Sequence, residues 1–163
     1  MSLVGLSVGG WIAAELATVQ PRRVEKLVLA GAAGLYTPEL PMADMFFLTP
    51  EQLRPLLYYD PSAIPVPEMT PELTRRQYKG QVTMARIAWN PYLHNPKLGR
   101  RLARIEAPTL IVWGDHDRLI PPGYAHRYQA LIKNSRVTLI ERCGHNILAE
   151  RPKEFASVVA GFL

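Results

Sequence analysis

A serine flanked by glycines most constrains what this chain can fold into. Residues 5–10 read GLSVGG, after a short apolar stretch over residues 3–4 and before an apolar helical pattern over residues 11–17. Glycines two positions to either side of Ser7 remove the side chains that would collide if a helix turned sharply back against a strand. The pattern predicts a nucleophile elbow, which strains the serine backbone and exposes its hydroxyl at a helix N-terminus. An ordinary strand-to-helix turn is the alternative that this run alone leaves open.

Two loops far along the chain carry the groups that such a serine would need. A serine hydroxyl is a weak nucleophile near neutral pH, so it requires a base, and the base requires an orienting acid. One apolar strand pattern is followed by Asp115 and Asp117, and the next is followed by His145. Because the carboxyl ends of parallel strands meet at one edge of a sheet, we expect Ser7, one of the two aspartates and His145 to lie together.

Strand and helix patterns alternate at both ends of the chain. The strand patterns cover residues 3–4, 26–30, 109–113 and 137–141, and the helix patterns cover residues 8–19, 122–133 and 152–162. This alternation predicts an α/β fold, with a parallel sheet and flanking helices. The strands are nearly continuous apolar runs, which is typical of strands buried on both faces.

The middle of the chain has a different character. Residues 35–104 are rich in proline and contain no convincing strand pattern. Short apolar helices are predicted over residues 42–48 and 51–59. A longer helix is predicted from Pro71 to about residue 89, with Thr70 as its N-cap.

Three blocks of the sequence resemble the signature blocks of the α/β-hydrolase family. They are the GLSVGG run, the run WGDHD at residues 113–117 with Pro121, and the run CGH at residues 143–145. The resemblance implies that Asp117, rather than Asp115, is the acid and that His145 is the base. It also implies that the Val8 N–H is one donor of the oxyanion hole and that no cofactor is needed.

The resemblance also implies how the chain is divided. Residues 1–34 and 105–163 would form the partial α/β-hydrolase core, and residues 35–104 would form a helical cap over the active site. The cap would supply the apolar wall of the substrate pocket. Five of its residues are predicted to contact substrate: Tyr36, Phe46, Phe47, Met84 and Trp89.

The chain departs from the family pattern at its start. A full member carries several strands before the elbow, whereas only six residues precede Ser7 here. We therefore expect a truncated fold that lacks the loop that normally supplies the second oxyanion donor, with the strand before Ser7 at a bare apolar edge. We expect a homo-oligomer that covers this edge, or a complementary fragment supplied separately.

Composition excludes several classes of function. The net charge of +5 comes from dispersed basic residues, dense only over residues 97–104, without the interleaved aromatics of a nucleic-acid surface. No spacing of histidine, cysteine or carboxylate residues suggests a metal site, and the lone Cys143 cannot form an internal disulfide. There is no secretory leader and no apolar run near eighteen residues, so we expect a cytoplasmic protein without a membrane partner.

The sequence thus predicts a serine hydrolase that cleaves small apolar carboxylic esters through an acyl-enzyme on Ser7. Two alternatives stay open. The same triad in this family also hydrolyses carbon–carbon bonds. The chain could also be a catalytically silent or partner-dependent fragment, because part of the oxyanion hole is missing.

Overall fold

The computed structural model describes residues 1–163, which form a four-stranded parallel sheet with helices on both faces. The strands are β1 (Ser2–Leu6), β2 (Lys26–Ala30), β3 (Thr109–Gly114) and β4 (Ser135–Ile140), and they pair in that order. The helices are α1 (Val8–Val19), α2 (Pro50–Leu57), α3 (Pro71–Ala88), α4 (Leu98–Arg101), α5 (Gly123–Leu131), α6 (Ile147–Glu150) and α7 (Pro152–Ala160). The predicted α/β class and the alternation at both ends of the chain are confirmed.

The pairing register aligns the carboxyl ends of the strands at one edge of the sheet. Leu6 pairs with Ala30, Ala30 with Val112, and Gly114 with Ile140. The turn after β1 and the loops after β3 and β4 therefore open on the same side, as in other parallel sheets that place their chemistry there.

Alternate residues of the buried strands pack into two separate cores. On one face, Leu27, Leu29 and Ile111 pack among residues of α1 and α5. On the other face, Val28 and Leu110 pack with residues of α6 and α7. Successive side chains of a strand point to opposite faces, so a strand buried on both faces must be apolar throughout.

Helices and turns make up residues 35–104, and this segment contributes no strand to the sheet. The hydroxyl of Thr70 accepts a hydrogen bond from the N–H of Leu73, which caps α3 as predicted. The helix predicted over residues 42–48 is wrong, because only a single 3-10 turn forms over Met45–Phe47. The Asp44 carboxylate accepts from the Phe46 N–H and so closes this turn locally.

The end of this segment packs into the main core. Leu98 and Leu102 are fully buried and belong to the same cluster as the apolar residues of α1 and α5. This part of the predicted cap thus contributes to the main core, and the division at residue 104 stays a prediction.

Apolar side chains remain exposed along the β1 edge of the sheet. Val4 on β1 is half exposed, and Ile12 and Val19 on the adjacent α1 are more than half exposed. None of the helices is long and apolar enough to cross a membrane.

Candidate active site

The turn between β1 and α1 holds Ser7 in a strained backbone conformation. Its φ of 54° and ψ of −120° lie in a region that residues with a side chain rarely adopt. The Ser7 N–H donates to the carbonyl of Ala30 at 2.8 Å, and the Ser7 carbonyl accepts from the N–H groups of Trp11 and Ala33 at 3.1 Å. These bonds to the helix and to the chain after β2 keep the strained residue in place.

Gly5 allows this turn to be so tight. A Cβ at position 5 would lie 2.6 Å from the Gly9 carbonyl carbon and 2.7 Å from the Gly10 nitrogen, closer than side-chain carbons approach backbone. Because both clashes involve backbone, no side-chain rotation can relieve them. The glycine two residues before the serine is therefore a steric requirement of the elbow.

The three predicted catalytic residues form one hydrogen-bonded chain. His145 Nε2 lies 2.9 Å from Ser7 Oγ, and His145 Nδ1 lies 2.7 Å from Asp117 Oδ2. His145 and Asp117 are both buried, with exposed fractions of 5% and 3%. The arrangement allows the imidazole to take the serine proton while the carboxylate holds its tautomer and stabilises its charged form.

Backbone amides hold the carboxylate of Asp117. Its Oδ1 accepts from the N–H of Leu119 at 3.0 Å and from the N–H of Ile120 at 2.8 Å, while Oδ2 faces His145. Three hydrogen bonds offset the cost of burying the carboxylate. They also fix its orientation, so the imidazole meets one defined oxygen.

Asp115, in the same loop, forms hydrogen bonds outside the triad. Its Oδ1 contacts Nδ1 of the exposed His116 at 2.6 Å and accepts from the Cys143 N–H at 3.2 Å. Burial acts to raise the pKa of Asp115, but these hydrogen bonds outweigh it and hold that pKa below its ordinary value. Asp115 thus ties the loop after β3 to the loop after β4, and it makes no hydrogen bond with His145.

An apolar cavity of about 220 Å³ opens beside Ser7. Its walls are Leu6, Ser7, Val8, Met45, Leu57, Met84, Leu93, Leu119, His145 and Asn146. Val8 is the first residue of α1, where backbone N–H groups have no partner within the helix. The role of oxyanion donor that the resemblance implies for its N–H stays a prediction.

Of the five residues predicted to contact substrate, Met84 lines this cavity and four lie outside its walls. Tyr36 stacks on the ring of His94, with the ring centroids 5.0 Å apart. Phe46 and Phe47 pack against Trp89, with centroids 5.3 Å and 5.6 Å away. These three aromatics form a cluster beside Met45.

Sequence reasoning missed most of the cavity wall. Leu119 and Asn146 follow Asp117 and His145 closely in the sequence, so proximity to the predicted triad could have found them. Met45 and Leu57 reach the cavity only through the fold of the cap, and no local pattern indicates it.

The structure presents neither a reactive thiol nor a cluster of metal-ligating side chains beside the triad. Cys143 is fully buried, and burial raises the pKa of its thiol to about 12, with the nearby Glu150 adding to the effect. The thiolate needed for nucleophilic chemistry is therefore scarce near neutral pH. No three histidine, cysteine or carboxylate residues cluster closely enough to hold a metal ion.

The parallel sheet, the elbow and the chain order of serine, aspartate and histidine are typical of the α/β-hydrolase fold. The chain belongs to the alpha/beta hydrolase family, whose model matches residues 2–158.

The chain is also similar in sequence and structure to individual members of this family. The chain is 32% identical to the 2-hydroxy-6-oxononadienedioate/2-hydroxy-6-oxononatrienedioate hydrolase 2 of Pseudomonas putida, over 99% of this chain and 62% of that protein. It is 28% identical to the monoacylglycerol lipase ABHD6 of Mus musculus, over 99% of this chain and 54% of that protein. Among solved structures, it matches a serine hydrolase involved in carbazole degradation with a TM-score of 0.73 and 26% identity, over 99% of this chain and 62% of that one. The chain thus spans less than two thirds of the length of these relatives.

Proposed function

We propose that this chain hydrolyses an acyl compound through an acyl-enzyme on Ser7, and that the bond broken is a carbon–carbon bond beside a ketone. The observation that carries the proposal is the hydrogen-bonded chain from Asp117 through His145 to Ser7. The bond type is supported by the bacterial relatives, several of which are hydrolases of 2-hydroxy-6-oxo acids. Such a compound contains a ketone and no ester, so its hydrolysis at the 6-oxo group breaks a carbon–carbon bond.

The proposed reaction has two halves. His145 takes the proton of Ser7 as Oγ attacks the carbonyl carbon, and the imidazolium then delivers that proton to the departing carbon. Water, deprotonated by the same imidazole, attacks the acyl-enzyme, and the proton returns to Ser7 Oγ as the acid leaves. Asp117 stabilises the imidazolium in both halves, and no cofactor is required.

The oxyanion formed in each half needs hydrogen-bond donors. The Val8 N–H supplies one in this proposal. Losing one of two donors costs about 3–4 kcal/mol of transition-state stabilisation, or roughly a hundred- to a thousandfold in rate. Activity of these 163 residues alone would be reduced accordingly if no second donor is supplied. If it falls to background, the chain is catalytically silent without a partner.

Ester hydrolysis is the second candidate, and the cavity favours it. Seven of the ten residues lining the cavity are hydrophobic, and none is lysine or arginine. The names of the Pseudomonas relatives' substrates carry two carboxylates, and this wall offers no cation to pair with either. An uncharged apolar ester therefore fits the cavity better than a dicarboxylate does.

Parallel assays of two substrates test both candidates. Purified protein would be assayed with 2-hydroxy-6-oxo-6-phenylhexa-2,4-dienoate, whose hydrolysis is monitored as a loss of absorbance. It would be assayed separately with p-nitrophenyl butyrate, whose hydrolysis is monitored as release of nitrophenol. We expect turnover of the dienoate with the larger kcat/KM, and loss of both activities in Ser7→Ala and His145→Ala. His126→Ala is the matched control, because His126 lies exposed on α5. A larger kcat/KM for the ester would favour the second candidate, and turnover unaffected by Ser7→Ala would contradict both.

A further inference from the structure

One carboxylate outside the triad bridges the catalytic histidine loop and the cap. Glu150 lies at the end of α6, and its two carboxylate oxygens accept hydrogen bonds from different segments of the chain. Its Oε2 accepts from the N–H of Gly144, the residue before His145, at 2.6 Å. Its Oε1 accepts from the N–H groups of Tyr59 and Asp60 in the cap, at 2.8 Å and 3.2 Å. Hydrogen bonds to an ionised acceptor are shorter and stronger than neutral ones, so this bridge is a firm link.

The two backbones that Glu150 joins are in direct contact. A Cβ on Gly144 would lie 2.7 Å from the Leu57 carbonyl oxygen and 2.8 Å from the Tyr59 nitrogen. The cap segment at residues 57–60, named here the cap seam, can therefore lie this close only against a glycine. The approach is too tight for any larger residue unless the cap moves.

Hydrogen bonds on the other side of His145 close the same contact. The N–H of Asn146 donates to the Leu57 carbonyl at 2.9 Å, and the Asn146 side-chain amide donates to the Tyr58 hydroxyl at 3.2 Å. Residues on both sides of His145 are thus bound to the cap seam. Leu57 and Asn146 also line the cavity beside Ser7.

We infer that Glu150 is a positioning residue that holds the His145 loop in its productive geometry by docking it against the cap seam. The residue touches neither substrate nor the reacting atoms and acts through the backbone of Gly144. This inference rests on the proposed function, since it concerns the base of that triad. Displacement of a catalytic group by about 1 Å can cost a hundredfold in rate, so loss of the bridge should be visible in the chemical step.

Kinetics of Glu150→Gln test the inference. A glutamine keeps the size of the side chain but has one acceptor oxygen, so it cannot serve Gly144 and the cap seam together. We expect the rate of Ser7 phosphonylation by a small fluorophosphonate, and the kcat for p-nitrophenyl butyrate, to fall by about tenfold to a hundredfold, with a smaller change in KM. A side chain that merely shaped the cavity would instead raise KM and leave the phosphonylation rate unchanged, and that result would overturn the inference.

Two further variants complete the design. Glu154→Gln is the matched control, because Glu154 is exposed on the neighbouring α7, and it should behave as the wild type. Gly144→Ala keeps the carboxylate but forces the cap seam away, and it should reproduce the kcat loss of Glu150→Gln. Circular dichroism would establish that each variant is folded.

Native-state hydrogen exchange of the wild type needs no variant and no activity. If Glu150 clamps the seam, the amides of Tyr59, Asp60 and Gly144 should be released by one opening event and show equal free energies of opening. Clearly different values for Gly144 and Tyr59 would overturn the inference. Wild-type protein that fails to react with the fluorophosphonate would contradict the proposed function alone, because the exchange result stands without it.

Discussion

The strain at Ser7 predicts an unusual order of stability for two inactive variants. Both Ser7→Gly and Ser7→Ala remove the hydroxyl and its hydrogen bond with His145, so they differ chiefly in backbone freedom. At φ 54° and ψ −120°, alanine retains the steric strain of the native residue and glycine does not. A residue held in such a region stores on the order of 1–3 kcal/mol.

Two opposing contributions set the difference in stability between Ser7→Gly and Ser7→Ala: relief of backbone strain stabilises the glycine variant, and the larger conformational entropy of its unfolded chain destabilises it. Relief of strain raises the free energy of unfolding of Ser7→Gly by about 2 kcal/mol, taken from the middle of that range. The greater freedom of its unfolded chain lowers the free energy of unfolding by about 0.5–1 kcal/mol. Ser7→Gly should therefore be more stable than Ser7→Ala by roughly 1 kcal/mol. For a chain of this size, that raises Tm by about 2–4 °C.

Thermal and urea unfolding, followed by circular dichroism, measure this difference. Ser157 supplies the matched control, because it lies exposed within α7, where backbone conformation is regular. There the order should reverse, with Ser157→Gly less stable than Ser157→Ala by about 1 kcal/mol. A Ser7→Gly variant that is equal to or less stable than Ser7→Ala would refute the strain argument.

Three other predictions concern the acid, the thiol and the sheet edge. Asp117→Asn should lower kcat by about 10⁴-fold while leaving the fold intact, because the imidazole loses its charged partner. Asp115→Asn should lower kcat far less. Equal losses of kcat in steady-state assays of the two variants would contradict the assignment of Asp117 as the acid. Cys143, with its pKa raised to about 12, should be almost entirely protonated at pH 8, with ~10⁻⁴ present as thiolate, and should resist 5,5′-dithiobis(2-nitrobenzoate) until guanidinium unfolds the chain. Rapid reaction of native protein would contradict its burial. The exposed apolar residues of β1 and α1 should drive self-association, so gel filtration with light scattering should give a mass above the 18.3 kDa of one chain, and a stable monomer would contradict this.

The sheet and the catalytic loops could be predicted from the sequence because their signals are local. Residues 26–30 and 109–113 are apolar without interruption, and that pattern indicates strands buried on both faces. Ser7 follows Gly5, which the tight elbow requires on steric grounds, whereas a Cβ at Gly9 would meet no atom within 4 Å. The order of serine, aspartate and histidine then follows the order of strands in a parallel sheet.

The cavity wall formed by residues 35–104 could not be predicted, because the geometry of this segment is set by distant contacts. Nothing near Met45 in the sequence shows that it reaches the cavity, while Phe47 and Trp89 pack on each other outside it. The choice between Asp115 and Asp117 also depends on backbone N–H groups at residues 119 and 120, which only a folded loop presents. Glu150 lies five residues after His145, and its role becomes visible only when the cap seam is in place.

The most direct test of the catalytic triad is the mass of the chain after reaction with a fluorophosphonate. The probe phosphonylates a serine only where a neighbouring base activates its hydroxyl. We predict one adduct per chain, located on Ser7 by peptide sequencing and absent from Ser7→Ala and His145→Ala. An unmodified wild-type chain, or an adduct that persists in Ser7→Ala, would contradict the account.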